Sequence, residues 1–228
     1  MRVYKYYPAN WAWEAIIHKR LKLTTLSDIN DPFEFRAIGT SDRTLRRNLE
    51  DWRNDLPKQL GFVSFCRNRK NPVIWSHYAE KYTGICLGFE VPDEFLLEIN
   101  YVNERQVMTR EQLLSAHTQW KDKGESPLLT TKFSHWEYEA EKRVFYRLKD
   151  EEVIKENGLH FAPFEGMFSL QEIILGPKYL PPICELKKTE LRKAQSSLKK
   201  CPVKTGRLAF NTFEIVLQSD KNRQKSLI

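Results

Sequence analysis

Polar and apolar positions alternate from Arg2 to Tyr7, and the run ends at Pro8, which predicts a first strand. Trp13, Ile16, Ile17 and Leu21 then recur at helical spacing behind Asn10, the expected cap, and Leu21–Thr25 reads as a second strand. Ser41 is the expected cap of a longer helix with Leu45, Leu49, Trp52 and Leu56 on one face, stopped by Pro57. Gly61–Phe65 is a short buried strand. Trp75, Tyr78, Ala79 and Tyr82 fall at i, i+3, i+4 and i+7, so they share one face of a two-turn helix ahead of a strand over Gly84–Phe89.

Thr109 with Gln112 makes a capping box for a helix reaching Trp120, and Lys121–Pro127 is a polar loop. Arg143–Leu148 and Glu172–Pro177 read as strands. Pro182 opens a basic helix with Leu191, Ala194 and Leu198 inward, and Leu208–Leu217 alternates as a last strand. Strands and helices are interspersed without the regular alternation of a doubly wound sheet, and glycines are too few for a Rossmann or P-loop phosphate cradle. The expected class is α+β, with a mixed, mostly antiparallel sheet and peripheral helices. No repeats or low-complexity segments interrupt it.

The 228 residues suffice for one substantial core, with residues 1–177 expected as the main domain and 178–228 as a basic helix and strand packed on it, frayed at the end. The net charge of +7 is uneven: residues 178–228 hold 12 Lys and Arg against 4 Asp and Glu, whereas residues 1–177 hold 25 against 26. Nucleic-acid contact is therefore expected in the C-terminal segment if anywhere, against the alternative of a solvated helix face. The start at Met1 shows no signal peptide and no apolar run matches a bilayer, so a soluble cytoplasmic protein without membrane partners is expected. Cys66, Cys86, Cys184 and Cys201 stand singly and read as ordinary buried thiols. The histidines lack ligand-like spacing, so no metal site is assigned.

Three regions concentrate polar residues beyond what packing needs. The first is Asn30-Asp31-Pro32-Phe33-Glu34, where Pro32 biases Asp31 away from helix and sets a rigid turn; an Asx turn is its structural reading. The second runs from Ser64 through Trp75, Ser76, His77 and Tyr78. The third is Lys132 to Arg143. If residues 137–143 are extended, Glu137, Glu139, Glu141 and Arg143 share one face, where crowded carboxylates raise one another's pKa and Arg143 lowers it. If instead Ser134 and Glu137 form a capping box, Glu137 is structural. Both alternatives stand at this point.

The order of Tyr4-Lys5-Tyr6, Asn30-Asp31-Pro32-Phe33-Glu34, Ser64-Phe65, Trp75-Ser76-His77-Tyr78-Ala79, Gly88-Phe89, Lys132, Trp136, Glu139, Glu141, Arg143 and Ile174-Leu175-Gly176 resembles the DUF2971 family, a bacterial domain of unknown function. That resemblance implies a fold family and no activity. More weakly, the order of motifs is similar to ADP-ribosyltransferases, which implies a split sheet and an NAD-consuming transferase or glycohydrolase of the toxin or phage-defence kind. On that resemblance Lys5 on the opening strand, Ser64 and Arg143 would belong to the NAD site, Trp75 or Tyr78 would stack on nicotinamide, and Asn30 and Asp31 would line the same cleft. Glu141 would stabilise the oxocarbenium ion and Glu139 would position or deprotonate the acceptor. Two other readings remain: a non-catalytic nucleotide or nucleic-acid binding module, and a nuclease in which Asp31, Glu139 and Glu141 hold magnesium.

Overall fold

The continuous apolar run Ile85–Phe89 belongs to a strand covered on both faces, and in the computed structural model all five of its residues are buried. The structure describes residues 1–113, 115, 126–198 and 201–228. They form two units, one of residues 1–22, 65–93 and 162–228, the other of 23–64 and 94–161. The basic residues after 177 thus fall in the same unit as the N-terminal strand. Helices and strands are interspersed and most strand pairs are antiparallel, an α+β fold.

In the first unit, β5 (Ile85–Glu90) lies between β1 (Arg2–Tyr7) and β13 (Ser169–Leu175), antiparallel to both. Beyond β13 come β14 (Val203–Leu208), parallel to it, and β15 (Ile215–Leu217), antiparallel to β14. The expected last strand over Leu208–Leu217 is therefore two strands, because the chain turns over between them and leaves Phe210 and Phe213 exposed. Helix α1 (Ala9–His18) starts at Pro8 rather than Asn10: Pro8 has no N–H to satisfy, and its carbonyl accepts from Ala12 N at 3.1 Å. The second strand is only β2 (Arg20–Lys22).

Helix α3 (Pro72–Tyr78) ends where Glu80, Lys81 and Tyr82 take left-handed φ values of 46°, 53° and 76°. This costly run is held by backbone bonds, with Tyr82 O accepting from Lys178 N at 3.0 Å and Gly84 O from Gly176 N at 2.9 Å. Gly84 has to be glycine, since a Cβ would run into the Tyr7 carbonyl. Among the four cysteines, all free, Cys86 alone is fully buried and Cys184 is exposed, which corrects the expectation of four buried thiols.

The charged chain end is docked rather than frayed. The Lys225 ammonium donates to the Pro177 and Tyr179 carbonyls at 2.8 and 2.9 Å, the Tyr179 hydroxyl donates to Leu227 O at 2.7 Å, and Leu227 is buried. Helix α5 (Glu185–Ser197) buries Leu191 and Ala194 as its spacing predicts. Several of its basic side chains are spoken for: Lys187 pairs with Glu14 and Glu190, and Lys188 with Glu185. Lys199 and Lys200 lie outside the described residues.

The second unit contains Leu60–Ser64 of β4 (Leu60–Cys66), then β10 (Glu141–Arg147) and β6 (Leu97–Glu98) beside it. Two short parallel pairs matter for the site: β3 (Ile38–Gly39) with β8 (Gln106–Val107), and β7 (Asn100–Val102) with β9 (Thr131–Phe133). Helix α2 (Arg43–Asp55) is capped by Asp42, not Ser41; its carboxylate accepts from Thr44 N at 2.8 Å and Leu45 N at 3.0 Å. Leu45, Leu49 and Trp52 pack toward Ile38, Leu113 and Leu128. The Thr109–Gln112 capping box forms, while the helix to Trp120 and most of the Lys121–Pro127 loop lie outside the described residues. Pro127 opens a single helical turn, α4 (Pro127–Thr130). Among the described residues no helix is long and apolar enough to cross a membrane.

Leu227→Ala is expected to cost about 2–5 kcal/mol in denaturant unfolding, as for a buried leucine. A loss below about 0.5 kcal/mol, the range of surface substitutions, would mean that the chain end is frayed after all.

Candidate functional site

The turn at Asp31 is where the second unit organises its chemistry. The Asp31 carboxylate is buried and accepts from Phe33 N at 2.8 Å, while Glu34 N donates to Asp31 O at 3.1 Å, so the Asx turn is the role the residue plays. Phe35 then adopts φ = +57°, an expensive conformation for a bulky side chain. The result sends consecutive side chains different ways: Phe33 outward, Glu34 and Phe35 into the core, and Arg36 to a half-exposed position. Phe35 meets Phe62 edge-on at 5.8 Å, which holds the strained residue in place.

Glu34 enters a buried network of five charges. The Arg143 guanidinium, 1% exposed, forms a two-pronged pair with Glu141, Nε to Oε1 at 2.8 Å and Nη2 to Oε2 at 2.9 Å. Its Nη2 also reaches Glu34 Oε1 at 2.8 Å and its Nη1 donates to Leu129 O at 3.0 Å. Phe62 and Phe35 flank it at 4.9 and 5.4 Å. Lys132 Nζ lies 2.6 Å from Glu139, 3.3 Å from Glu141 and 3.6 Å from Glu34, under the Trp136 ring at 4.8 Å. The Ser64 side chain on β4 lies close enough to Glu141 to help hold its pKa down, and Glu141 N donates to the Tyr101 hydroxyl at 2.9 Å.

Local backbone makes this convergence possible. Residues Ser134–Glu139 form a 3-10 helix without a side-chain cap, Ser134 bonding Asn103 instead, and Ala140 at φ = 43° turns the chain into β10. Neither sequence alternative is met: Glu137 stands exposed on the short helix, while Glu139 before the turn and Glu141 after it both reach Lys132. At Glu141 the cations, not the neighbouring carboxylates, decide the direction of the pKa. Burial alone would raise that of Glu141, but Arg143 and Lys132 outweigh it and hold it down at about 2. Burial likewise works against the cations, yet Glu141 and Glu34 raise the pKa of Arg143, and these with Glu139 raise that of Lys132.

Beside the network lies a cavity of about 240 Å³, lined by Phe33, Arg36, Ala37, Val102, Arg105 and Phe133, with Lys132 and Thr131 in its wall. The β7–β9 register sets Val102 against Phe133, and the β3–β8 pair, with Gln106 N donating to Ala37 O at 2.8 Å, brings Arg105 alongside Arg36. The Arg105 guanidinium sits 5.1 Å over the Phe33 ring. Thr131 is buried and its hydroxyl has no hydrogen-bond partner, a vacancy that folded proteins seldom leave.

Among the residues expected from sequence, Asn30, Asp31, Ser64, Glu139, Glu141 and Arg143 belong to this unit, and Ser64, Glu139, Glu141 and Arg143 join the network. Asn30 is exposed. Lys5, Trp75 and Tyr78 belong to the first unit; Lys5 lies 5.5 Å over the Tyr7 ring, Tyr78 is half-buried against His77, and Trp75 is a core residue, fully buried with its indole donating to Arg69 O at 2.8 Å. The magnesium arrangement of Asp31, Glu139 and Glu141 is not formed: Asp31 caps its own turn and the other two face cations. Among the described residues no three His, Cys, Asp or Glu side chains are placed to hold a metal. Sequence reasoning passed over Glu34, Arg36, Arg105, Lys132 and Phe133 as site residues; Lys132 and Glu34 were visible inside the very motifs it quoted. Comparisons with protein-family models, curated proteins and solved structures find no match.

Glu141→Gln is expected to lower stability by about 3–5 kcal/mol, since it leaves Arg143 and Lys132 short of a buried counter-charge. Because the folded pKa of Glu141 is depressed from 4.5 to about 2, its contribution is fully present above pH 4.5 and is lost as pH falls toward 2. Urea unfolding across that window should show the wild type losing stability more steeply than Glu141→Gln; parallel profiles would remove Glu141 from the pH dependence.

Proposed function

We propose that the second unit binds a small molecule combining a flat ring with an anionic group, and that a nucleotide is the class that fits. One observation carries the reading: a single cavity wall brings together two phenylalanines and two guanidinium groups. Phe33 and Phe133 supply ring faces, and Arg36 and Arg105 supply forked donors for phosphate. Lys132 is not a free anion receptor, since three carboxylates surround it.

The second reading, an NAD-consuming enzyme, is favoured by the closeness of Ser64 on β4 to Glu141 on β10, two residues that the ADP-ribosyltransferase resemblance places in the same site. NAD is also a nucleotide, so one assay addresses both. Titration calorimetry with adenine and guanine nucleotides and with NAD is expected to show binding that Phe133→Ala weakens by about 1–3 kcal/mol, the usual loss of a stacking partner. Arg105→Gln should weaken it without lowering thermal stability. Binding unaffected by either substitution would place the ligand elsewhere. Release of nicotinamide from NAD by the intact protein would carry the enzyme reading, and binding without release would leave the binding module.

A further inference from the structure

A second cavity of about 220 Å³ shares Arg36 and Arg105 with the first as common wall and is otherwise of different character, with Arg46, Arg53 and Glu50 around an apolar floor that includes Leu49. Four guanidinium groups thus meet one carboxylate. Glu50 is committed to Arg36 at 2.8 Å, and Arg53 Nε donates to the Glu34 carbonyl at 3.3 Å, which satisfies a donor without neutralising the charge. Among the described residues Arg46 has no carboxylate partner, and Arg105 has the Phe33 ring alone. Arg53 feels this crowding: burial and then the Arg36 charge lower its pKa, against a partial offset from Glu50 and Glu34.

The arrangement is built, not accidental to a flexible surface. Arg46, Leu49, Glu50 and Arg53 stand at i, i+3, i+4 and i+7 on α2, one face of a helix fixed by the Asp42 cap and by partly buried Leu49 packed against the core, while exposed Arg105 directly precedes the β3–β8 pair. Like charges held close repel one another, and an anion placed among them relieves that repulsion. The cavity with rings and the cavity with arginines each fall below the roughly 300 Å³ at which pockets usually begin to hold a whole ligand, so the pair accommodates one ligand in two parts.

We infer that the arginine cavity is a polyphosphate chamber, so that the ligand of the site is a nucleoside di- or triphosphate or a dinucleotide diphosphate rather than a monophosphate. The inference rests on the nucleotide reading of the ring cavity: the ring lies against Phe33 and Phe133, the first phosphate at the shared Arg36 and Arg105, and the further phosphates at Arg46 and Arg53.

The test is calorimetry on the full chain with AMP, ADP, ATP, the guanine series and inorganic triphosphate in magnesium-free buffer, with a thermal melt of each variant. Affinity should rise from mono- to triphosphate by roughly tenfold or more, the size of one to two charge-assisted hydrogen bonds. Arg46→Glu, on the exposed rim, should erase that gain while leaving monophosphate affinity within about twofold, and Arg46→Lys should keep part of it. If monophosphate binds in a Phe33-dependent way but triphosphate binds no tighter, or if Arg46→Glu leaves the gain intact, the chamber is refuted and the nucleotide reading survives. If inorganic triphosphate binds in an Arg46-dependent way and no nucleotide binds better than it, the chamber is upheld and the ring reading fails. Absence of binding by every probe at low salt overturns both.

Discussion

The burial of the Arg143 guanidinium is the constraint on which the second unit depends. A charge that is 1% exposed has to be neutralised where it sits, because an unpaired buried ion costs several kcal/mol. Its partners come from three separate parts of the chain: Glu141 two residues earlier on β10, the Leu129 carbonyl on α4, and Glu34 from the turn after Asp31. Three carboxylates and two cations share the network, so Lys132 is required as well, and its demand fixes where the 3-10 helix must deliver Glu139. The left-handed residues Phe35 and Ala140 sit at the two places where the backbone must bend sharply to bring these carboxylates in.

The same turn that feeds the network builds the cavity. Glu34 is held by Arg143, so its neighbours Phe33 and Arg36 are held with it, and the wall of the ring cavity inherits the rigidity of a buried ion pair. Lys132 stands in both places, yet its charge is already taken up. On the proposed reading, anion recognition falls to arginines outside the network, whose forked, permanently charged donors suit it better than a lysine already paired with carboxylates would.

Elements with strong local signals were legible in the chain. The apolar strands at β4, β5 and β10, the Thr109–Gln112 box and the inward face of α5 follow from periodicity and short-range capping alone. The site was legible in part: Glu139, Glu141 and Arg143 stood out by their spacing, but the Glu34 that pairs with Arg143 is 109 residues away in sequence, and no local pattern reports such a pairing. Arg105 escaped for a similar reason, since a two-residue parallel strand places it. Other signals were present and unused. Arg46 and Arg53 share a helical face with Leu49, whose apolar partners alone drew the reading. Asn157-Gly158, both left-handed between paired Glu156 and Leu159, is the favoured two-residue hairpin turn. Lys225 looked like part of a loose tail because its acceptors, Pro177 and Tyr179, lie over forty residues away.

The network also bears on how Glu141 could act. A carboxylate that stabilises a developing cation works through its unscreened charge, and that field is large only where no other cation has already absorbed it. Both Glu141 oxygens are engaged by Arg143 and Lys132 Nζ lies at 3.3 Å, so an oxocarbenium ion would compete with two resident positive charges. Freeing Glu141 would mean displacing the guanidinium on which the Asp31 turn and α4 also depend. The arginines of the neighbouring cavities are in the opposite position: they are positive and incompletely matched. The electrostatics therefore weigh against Glu141 as a cation stabiliser and are consistent with the proposed anion site, for which the buried carboxylates would serve as the frame.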